Sequence, residues 1–241
     1  MTPTIFAIDT AGERCSLALS CDAHVHTLEG QTGHTHLEQV LPMIERLFTA
    51  ASLRPEHCDA FAYGSGPGSF TGLRVACTIS QGLALATDRP VIALGKLLLL
   101  AAAAPLDDMR LQRGVRRCRV LAAADARMQQ AYWGVYDSSD GIWLETAAPS
   151  LCEASALGQF VSIWQPDCCV GEALWLRRHL DDAVIPVRDA AVQGTVMAQL
   201  ACEKFLRGEL LPAEQALPAY VRDRVALTVD ERRARLPGAQ P

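Results

Sequence analysis

Hydrophobic residues follow two different periods along the first 105 positions of the chain. Short, continuously apolar runs are typical of buried strands, and apolar residues at every third or fourth position are typical of helices that bury one face. By this criterion the strands fall at residues 4–9, 15–20, 24–30, 60–63 and 90–94. The helices fall at residues 37–51, after residue 69, and up to about residue 104. The order βββαβαβα predicts an α/β fold in which helices connect parallel strands.

The same order of elements returns after a break. Residues 105–119 are rich in charge and lack an apolar period, so they are the best candidate for a boundary between two lobes. Beyond them an apolar strand ends in Asp125, as the first strand ends in Asp9. We therefore predict a duplicated fold whose second copy is looser. The predicted units are residues 1–105, residues 106–226 and a flexible tail at 227–241, and the later elements are a helix at 152–164, a strand at 168–171 and a final helix at 190–206.

A glycine-rich stretch joins the fourth predicted strand to the helix after it. Residues 63–74 read Tyr-Gly-Ser-Gly-Pro-Gly-Ser-Phe-Thr-Gly-Leu-Arg. A P-loop or a GxGxxG dinucleotide motif would need a glycine where Ser69 or Thr71 stands, and no GxSxG nucleophile motif is present. We therefore predict a structural turn, with a positive φ angle at Gly68 and with Ser69 or Thr71 capping the helix. The residues of this turn are Gly64, Gly66, Pro67, Gly68 and Ser69.

Composition narrows the class of protein. The chain has 241 residues, of which 50% are hydrophobic, and its net charge of −5 does not favour nucleic-acid binding over the whole surface. No apolar run reaches the ~18 residues of a membrane span, and the first residues lack the basic region of a signal peptide. The nine cysteines include no CxxC pair, which favours reduced thiols in the core. We expect a cytoplasmic protein.

Two sets of side chains could bind a metal ion or a nucleotide. Asp9 and Asp125 could position a metal–nucleotide complex from two strand ends, although aspartates at such places commonly cap the following turn. His24 and His26 share one face of a predicted strand and could hold zinc with a third ligand. The sequence places no convincing third ligand beside them, and His34 and His36 form a second pair of the same kind. A solvated strand and turn is the alternative.

Two further candidates concern nucleophiles and RNA. Ser65, Ser69 and Thr71 lie in the glycine-rich stretch, but no histidine or aspartate can be assigned to activate them. The basic residues between 110 and 119 form the best patch for RNA phosphates, and a solvated loop is the alternative. These residues are Arg110, Arg113, Arg116, Arg117 and Arg119.

Several stretches together resemble the TsaB family, which takes part in bacterial tRNA modification. The most specific is residues 64–74, and most of residues 4–226 fits. Residues 8–11 and 15–19 resemble the opening of the family, and His36 with Leu41 and Pro42 resembles its first helix. Residues 125–127 with Tyr132 and Trp133, and residues 218–222, resemble the start of its second lobe and its tail.

The resemblance implies an RNase H-like, duplicated fold of the actin/sugar-kinase/Hsp70 superfamily. It also implies a non-catalytic scaffold without a cofactor, which activates the catalytic paralogue TsaD, together with the ATPase TsaE, in forming N6-threonylcarbamoyladenosine (t6A) at adenosine 37 of ANN-decoding tRNAs. Contact with tRNA would then be indirect at most. Ala11 stands where active members of the superfamily carry a phosphate-approaching glycine. The alternative is an autonomous ATPase or kinase of the same fold, or a peptidase of the kind once proposed for relatives.

The resemblance finally implies that the first two helices form the partner interface, and that the isolated chain forms a homodimer through the same surface. The second helix has small residues at four-residue steps, Gly72, Ala76, Ser80 and Ala84, which could admit a partner helix or serve the helix's own sheet. We take the first option, and expect Ala76→Arg to weaken association without unfolding the monomer. The predicted interface residues are His36, Val40, Met43, Arg46, Gly72, Val75, Ala76, Ile79, Ser80 and Leu83.

Overall fold

Two five-stranded sheets with the same topology form the core of the protein. The computed structural model describes residues 2–12, 14–22, 24–31, 36–106, 117–139, 141–180 and 185–222. In the first sheet the order is β3-β2-β1-β4-β5, and in the second it is β8-β7-β6-β9-β10. The strands of the first sheet are β1 (Ile5–Asp9), β2 (Arg14–Cys21), β3 (His24–Gln31), β4 (Ala60–Gly66) and β5 (Val91–Gly95). Those of the second are β6 (Arg117–Arg127), β7 (Gln130–Ser139), β8 (Ile142–Glu153), β9 (Cys168–Gly171) and β10 (Val187–Asp189).

The pairing of strands confirms the predicted duplication. The central strand of each sheet pairs antiparallel with the strand that follows it in sequence, β1 with β2 and β6 with β7. On its other side each central strand pairs in parallel, β1 with β4 and β6 with β9. All five residues of β1 are buried, since helices cover both faces of its sheet, and this explains its continuous apolar run.

Helices cover the sheets in layers. The helices are α1 (His36–Ala50), α2 (Phe70–Thr87), α3 (Lys96–Ala103), α4 (Leu157–Trp164), α5 (Ala173–Arg177) and α6 (Gly194–Leu206), and short 3₁₀ turns lie at Pro55–His57, Ala154–Ala156 and Ala213–Gln215. Residues of α1 and α2 pack on one face of the first sheet, and α6 packs on the other. Helix α3 lies between the sheets, and α4 with α5 covers the far face of the second sheet. The α/β class predicted from the sequence is confirmed.

The elements after residue 150 depart most from the prediction. The predicted helix at 152–164 begins only at Leu157, because β8 continues to Glu153 as the partner of β7. The final helix begins at Gly194 rather than at residue 190. It packs on the first sheet, although residues 106–226 were assigned to a second unit. That division of the chain stays a prediction, and the tail at 227–241 lies outside the described residues.

Candidate functional site

The glycine-rich turn between β4 and α2 lies directly against the turn between β1 and β2. A Cβ atom at Gly64 would overlap the carboxylate of Asp9, and one at Gly72 would overlap the carbonyl oxygen of Thr10. A Cβ atom at Gly68 would lie 2.8 Å from both the Cβ and the carbonyl oxygen of Ala11. These three glycines therefore make room for the chain's own β1–β2 turn.

One prediction about this turn is wrong. The glycine with a positive φ angle is Gly66, at 113°, whereas Gly68 lies outside the left-handed region. Gly68 is required by its close approach to Ala11, a tertiary contact that sequence spacing does not reveal. Gly66 approaches another part of the chain, because a Cβ atom there would lie 2.9 Å from the carbonyl oxygen of Ala219. The bond between Gly66 and Pro67 is cis.

Backbone donors at the start of α2 already have partners within the chain. Ser69, one of the two predicted caps, is the N-cap of the helix, and its Oγ accepts a hydrogen bond of 3.4 Å from the Gly72 amide. The Ser69 amide donates to the carbonyl oxygen of Ala11 at 3.0 Å. The Thr10 hydroxyl donates to the Gly72 carbonyl oxygen at 2.6 Å. The amides of Ser69 and Gly72, which a phosphate-binding turn would offer to an anion, are used to bind the β1–β2 turn and the cap.

Asp9 and Asp125 close equivalent turns in the two halves of the fold. The Oδ1 atom of Asp9 accepts a hydrogen bond of 2.7 Å from the Ala11 amide, and Oδ1 of Asp125 accepts one of 2.7 Å from the Arg127 amide. Both aspartates therefore make the turn-capping contact that was the alternative to nucleotide binding. Asp9 differs in its burial, since its Oδ2 atom is buried and no described residue offers it a hydrogen bond.

Burial dominates the electrostatics of Asp9. Desolvation raises the pKa of its carboxyl group above the ordinary value. The hydrogen bond from Ala11, the charge of Lys96 and a hydrogen bond from Gly12 each oppose that rise. A carboxyl group in this position is costly to ionise, because one of its oxygens has lost water and gains no donor from the part of the chain that the structure describes.

The stripe of small residues on α2 faces the first sheet, so its assignment to the partner interface is wrong. Ala76, Ser80 and Ala84 have no exposed surface, and Gly72 is buried against Thr10. The Ser80 hydroxyl donates to the carbonyl oxygen of Ala62 in β4 at 3.2 Å. Small side chains are needed here because the helix backbone lies close to β1 and β4. An arginine at position 76 would therefore disrupt the monomer, contrary to the prediction.

The remaining predicted interface residues are divided between the core and the surface. Val40 is buried in the core, and Val75 is nearly so. Met43 is half-buried, with its Sδ atom 2.9 Å from a Cβ atom placed at Gly30, and Leu83 packs against the same core. Arg46 is exposed, and the side chain of His36 lies outside the described part of the chain. Val40 therefore contributes to the core of the fold and not to an exposed interface.

The outward face of α2 carries a groove of about 340 Å³. It is lined by Phe70, Thr71, Arg74, Val75, Thr78 and Ile79. The guanidinium carbon of Arg74 lies 3.9 Å from the centre of the Phe70 ring, and its Nε atom donates to the Tyr220 hydroxyl at 3.1 Å. Val75 and Ile79 were predicted at this surface and the other four were not. Helical spacing from Ile79 finds Val75 and Thr71 at four-residue steps, and Thr78 lies three residues after Val75.

Comparison with known proteins identifies the family. The family model "TsaD: tRNA N6-adenosine threonylcarbamoyltransferase" matches residues 30–161. The "tRNA threonylcarbamoyladenosine biosynthesis protein TsaB" of Escherichia coli is 34% identical over 92% of this chain and 96% of that protein. The protein of that name from Haemophilus influenzae is 30% identical over 92% of this chain and 94% of its own length. The chain belongs to the TsaB family.

A solved structure supports the same assignment. A Pseudomonas aeruginosa chain described as "an uncharacterized protein with similarity to peptidase YEAZ" superposes with a TM-score of 0.78 at 31% identity, over 91% of this chain and 100% of that one. A second structure, described as "YeaZ from Pseudomonas aeruginosa", gives a TM-score of 0.76 over 90% of this chain and 99% of that one. The α/β fold of this TsaB-family chain, with its two five-stranded sheets, is therefore shared with solved relatives.

The predicted RNA-binding and metal-binding residues of this TsaB-family chain gain little support from the described residues. Arg117 and Arg119 both bind the carboxylate of Asp137, and Arg110, Arg113 and Arg116 lie outside the described residues, as does His34. Within the described ranges, no three His, Cys, Asp or Glu side chains are grouped closely enough to hold a metal ion. The nine cysteines, all in the described part of the chain, form no disulfide bond with one another, and six of them are buried. No helix of the described residues is long and apolar enough to cross a membrane.

Proposed function

We propose that this chain is the non-catalytic subunit that binds and activates a TsaD-like threonylcarbamoyltransferase in the t6A modification of adenosine 37 in ANN-decoding tRNAs. A TsaE-like ATPase completes the proposed set of partners. Curated relatives that align over nearly the whole chain carry the name of a t6A biosynthesis protein, which supports the pathway. In this proposal the chain acts in the cytoplasm, contacts tRNA at most indirectly through its partners, and needs no cofactor of its own.

The packing of the glycine-rich turn carries the non-catalytic part of the proposal. Gly64, Gly68 and Gly72 have contact partners in residues 9–11, at the place where a nucleotide-binding turn would approach phosphate. The amides of Ser69 and Gly72 donate within the chain. A phosphate could reach this turn only if the β1–β2 turn moved away, and this supports a scaffold rather than an ATPase or kinase.

The outward groove of α2 is the surface that we propose for the partner. Its floor is apolar at Val75 and Ile79, and Phe70 and Arg74 at its edge are residue types that are enriched at protein interfaces. The match to the transferase family covers residues 30–161, which include both α1 and α2. A related transferase would therefore present equivalent helices, so that two similar surfaces could pair about a pseudo-twofold axis. The same geometry supports the prediction that the isolated chain forms a homodimer.

A reconstituted reaction tests the proposal. The purified TsaD-like and TsaE-like proteins of the same organism, given tRNA, ATP and a threonylcarbamoyl donor, should form t6A only when this chain is added. Thr78→Arg places a bulky charge in the groove, and we expect it to weaken partner binding about 30-fold or more while the thermal stability of the monomer stays the same. Thr195→Arg is the matched control, because Thr195 is an exposed threonine near the start of α6, in a different layer of the fold.

Two results would contradict the proposal. One is equal loss of binding in Thr78→Arg and Thr195→Arg, or no loss in either, which would remove the groove from the interface. The other is ATP turnover by the chain alone above ~0.01 per second, since enzymes commonly run at ~1–1000 per second. That second result would favour the autonomous enzyme instead.

A further inference from the structure

The C-terminal residues 211–222, here called the strap, run along the first sheet and end on the second. Leu211 exchanges two backbone hydrogen bonds with Val91 at the start of β5, of 2.8 and 2.9 Å. The Gln81 side chain of α2 donates to the Ala213 carbonyl oxygen at 2.9 Å. The Ala219 amide then donates to the carbonyl oxygen of Ser65 at 2.7 Å. The strap is thus held by hydrogen bonds at several points along the first sheet and α2.

Two tyrosines anchor the strap at the end of β4. The hydroxyl of Tyr63 donates to the Leu217 carbonyl oxygen at 3.2 Å and accepts from the Leu217 amide at 3.1 Å. The ring of Tyr220 lies 5.5 Å from that of Phe70, and its hydroxyl accepts a hydrogen bond from Arg74. Tyr220 therefore joins the strap to the edge of the α2 groove.

The last described residue of the strap crosses to the second sheet. The Nη2 atom of Arg222 donates to the Ala126 carbonyl oxygen and to Oε1 of Gln130, both at 2.8 Å. Its Nη1 atom lies 3.6 Å from the Sδ atom of Met128. The Arg222 guanidinium group therefore contacts the turn between β6 and β7 at both of its ends, Ala126 and Gln130, and at its tip, Met128.

The turn that Arg222 contacts has an unfavourable backbone. Three consecutive residues that carry a Cβ atom lie in the left-handed region, namely Arg127, Met128 and Gln129, with φ angles of 64°, 55° and 62°. A Cβ atom disfavours this region, so such a conformation persists only where surrounding contacts maintain it. The Asp125 carboxylate supplies one such contact through the Arg127 amide, and the Ala154 amide supplies another by donating to the Gln129 carbonyl oxygen at 2.8 Å. Arg222 adds its hydrogen bonds to Ala126 and Gln130 on either side of the run.

We propose that the strap is a latch between the two lobes, closed by Arg222. With its first part fixed to β4, β5 and α2, the strap carries Arg222 to the β6–β7 turn and holds that turn in its left-handed conformation. The strap thereby links the rims of the two sheets where β4 and β6 end, in addition to the packing of α3 between the sheets. In this proposal Arg222 acts by holding the β6–β7 turn in position.

Hydrogen exchange measured by mass spectrometry on the full chain tests the latch. Arg222→Gln should accelerate amide exchange in residues 126–131 about tenfold or more, and also loosen residues 217–220, without changing exchange in β1 or β4. Arg207→Gln is the matched control, because the ion pairs that Arg207 forms with the described residues Glu203 and Glu209 are long, at 3.8 Å, and lie at the surface. Unchanged exchange in residues 126–131 would overturn the proposal, and so would uniform acceleration in both sheets.

A second variant separates the latch from a general effect on stability. Met128→Gly removes the Cβ atom from the middle of the left-handed run, so the turn depends less on outside support. In this background Arg222→Gln should accelerate exchange of residues 126–131 less than about threefold. An equal effect of Arg222→Gln in both backgrounds would show that Arg222 does not maintain the turn. The measurement needs no partner protein, so its outcome is independent of the proposed function.

Discussion

The stability of the second sheet should depend on pH through one buried carboxylate. Asp137 in β7 is 5% exposed and accepts hydrogen bonds from Arg117 at 2.6 Å and from Arg119 at 2.7 and 3.0 Å. The hydrogen bonds from Arg119 are the largest cause of a pKa lowered from 3.8 to about 2, with Arg117 adding to the effect and burial opposing it. By linkage, this difference between folded and unfolded chain stabilises the fold by about 2 kcal/mol at neutral pH.

The sign of the pH dependence follows from the lowered pKa. The unfolded carboxyl group binds protons more readily than the folded one, so acid favours the unfolded chain. The contribution of Asp137 is therefore complete above about pH 5, falls to about half near pH 3, and disappears as the pH falls below about 2. The variant Asp137→Asn cannot titrate here, and its stability relative to the wild type should be lower by about 2 kcal/mol at pH 7, with the difference narrowing below pH 4.

Urea unfolding followed by tryptophan fluorescence is a suitable assay. The four tryptophans, Trp133, Trp143, Trp164 and Trp175, are in the half of the chain that forms the second sheet. Glu29→Gln is the control, since it removes an exposed ion pair with Arg14 and should change stability by less than about 0.5 kcal/mol. A deficit in Asp137→Asn that stays constant from pH 7 to pH 3 would refute the linkage, and would indicate lost packing instead.

Two further predictions concern the glycine-rich turn and its neighbour Asp9. Gly72→Ala should lower the free energy of unfolding by about 1–3 kcal/mol, because the new Cβ atom would overlap the Thr10 carbonyl oxygen. The control Gly82→Ala, on the exposed face of the same helix, should be neutral or stabilising by about 0.5–1 kcal/mol. Equal melting temperatures for the two variants would contradict this expectation. Asp9→Asn should stabilise the fold by roughly 1–3 kcal/mol at pH 7, because the raised pKa of Asp9 makes the stability of the wild type fall as the pH rises above 3.8. The gain should vanish in acid, where the Asp9 carboxyl group is protonated. A loss of stability at pH 7 would show instead that the carboxylate has a favourable partner.

Strands were predicted best from the sequence where both of their faces are buried. The strands β1, β4 and β9 are buried on both faces, so each has a continuous apolar run with clear ends. By contrast, β8 is a half-exposed edge strand that contains Pro149, and its apolar pattern is too weak to show that it extends to Glu153. The three-residue strand β10 pairs only with β9, and it is too short to give a period at all.

The candidate site was predicted less well than the fold, for a physical reason. Helix α2 has apolar residues on two sides, and spacing alone does not say which side meets the sheet. Gly72, Ala76 and Ser80 could admit either a partner helix or the helix's own sheet, and the tertiary contacts with Thr10 and Ala62 select the second. The strap is harder still to predict, because its contacts join Arg222 to residues more than ninety positions earlier in the chain.

The most distinctive motif in the sequence is therefore explained by internal packing. Gly64 accommodates Asp9, and the second half of the fold offers a partial counterpart at Gly171, where a Cβ atom would overlap the carbonyl oxygen of Ala123. In each half, the strand that pairs in parallel with the central strand has a glycine near its end, Gly64 in β4 and Gly171 in β9. In the first half, Gly68 and Gly72 also make room for the β1–β2 turn. Asp9 becomes buried as a result, while Asp125 stays partly exposed and pairs with Arg127. Because this motif fits the chain to itself, it supports the proposal that a partner is recognised by the outward residues of α2, whose side chains can change without disturbing the turn.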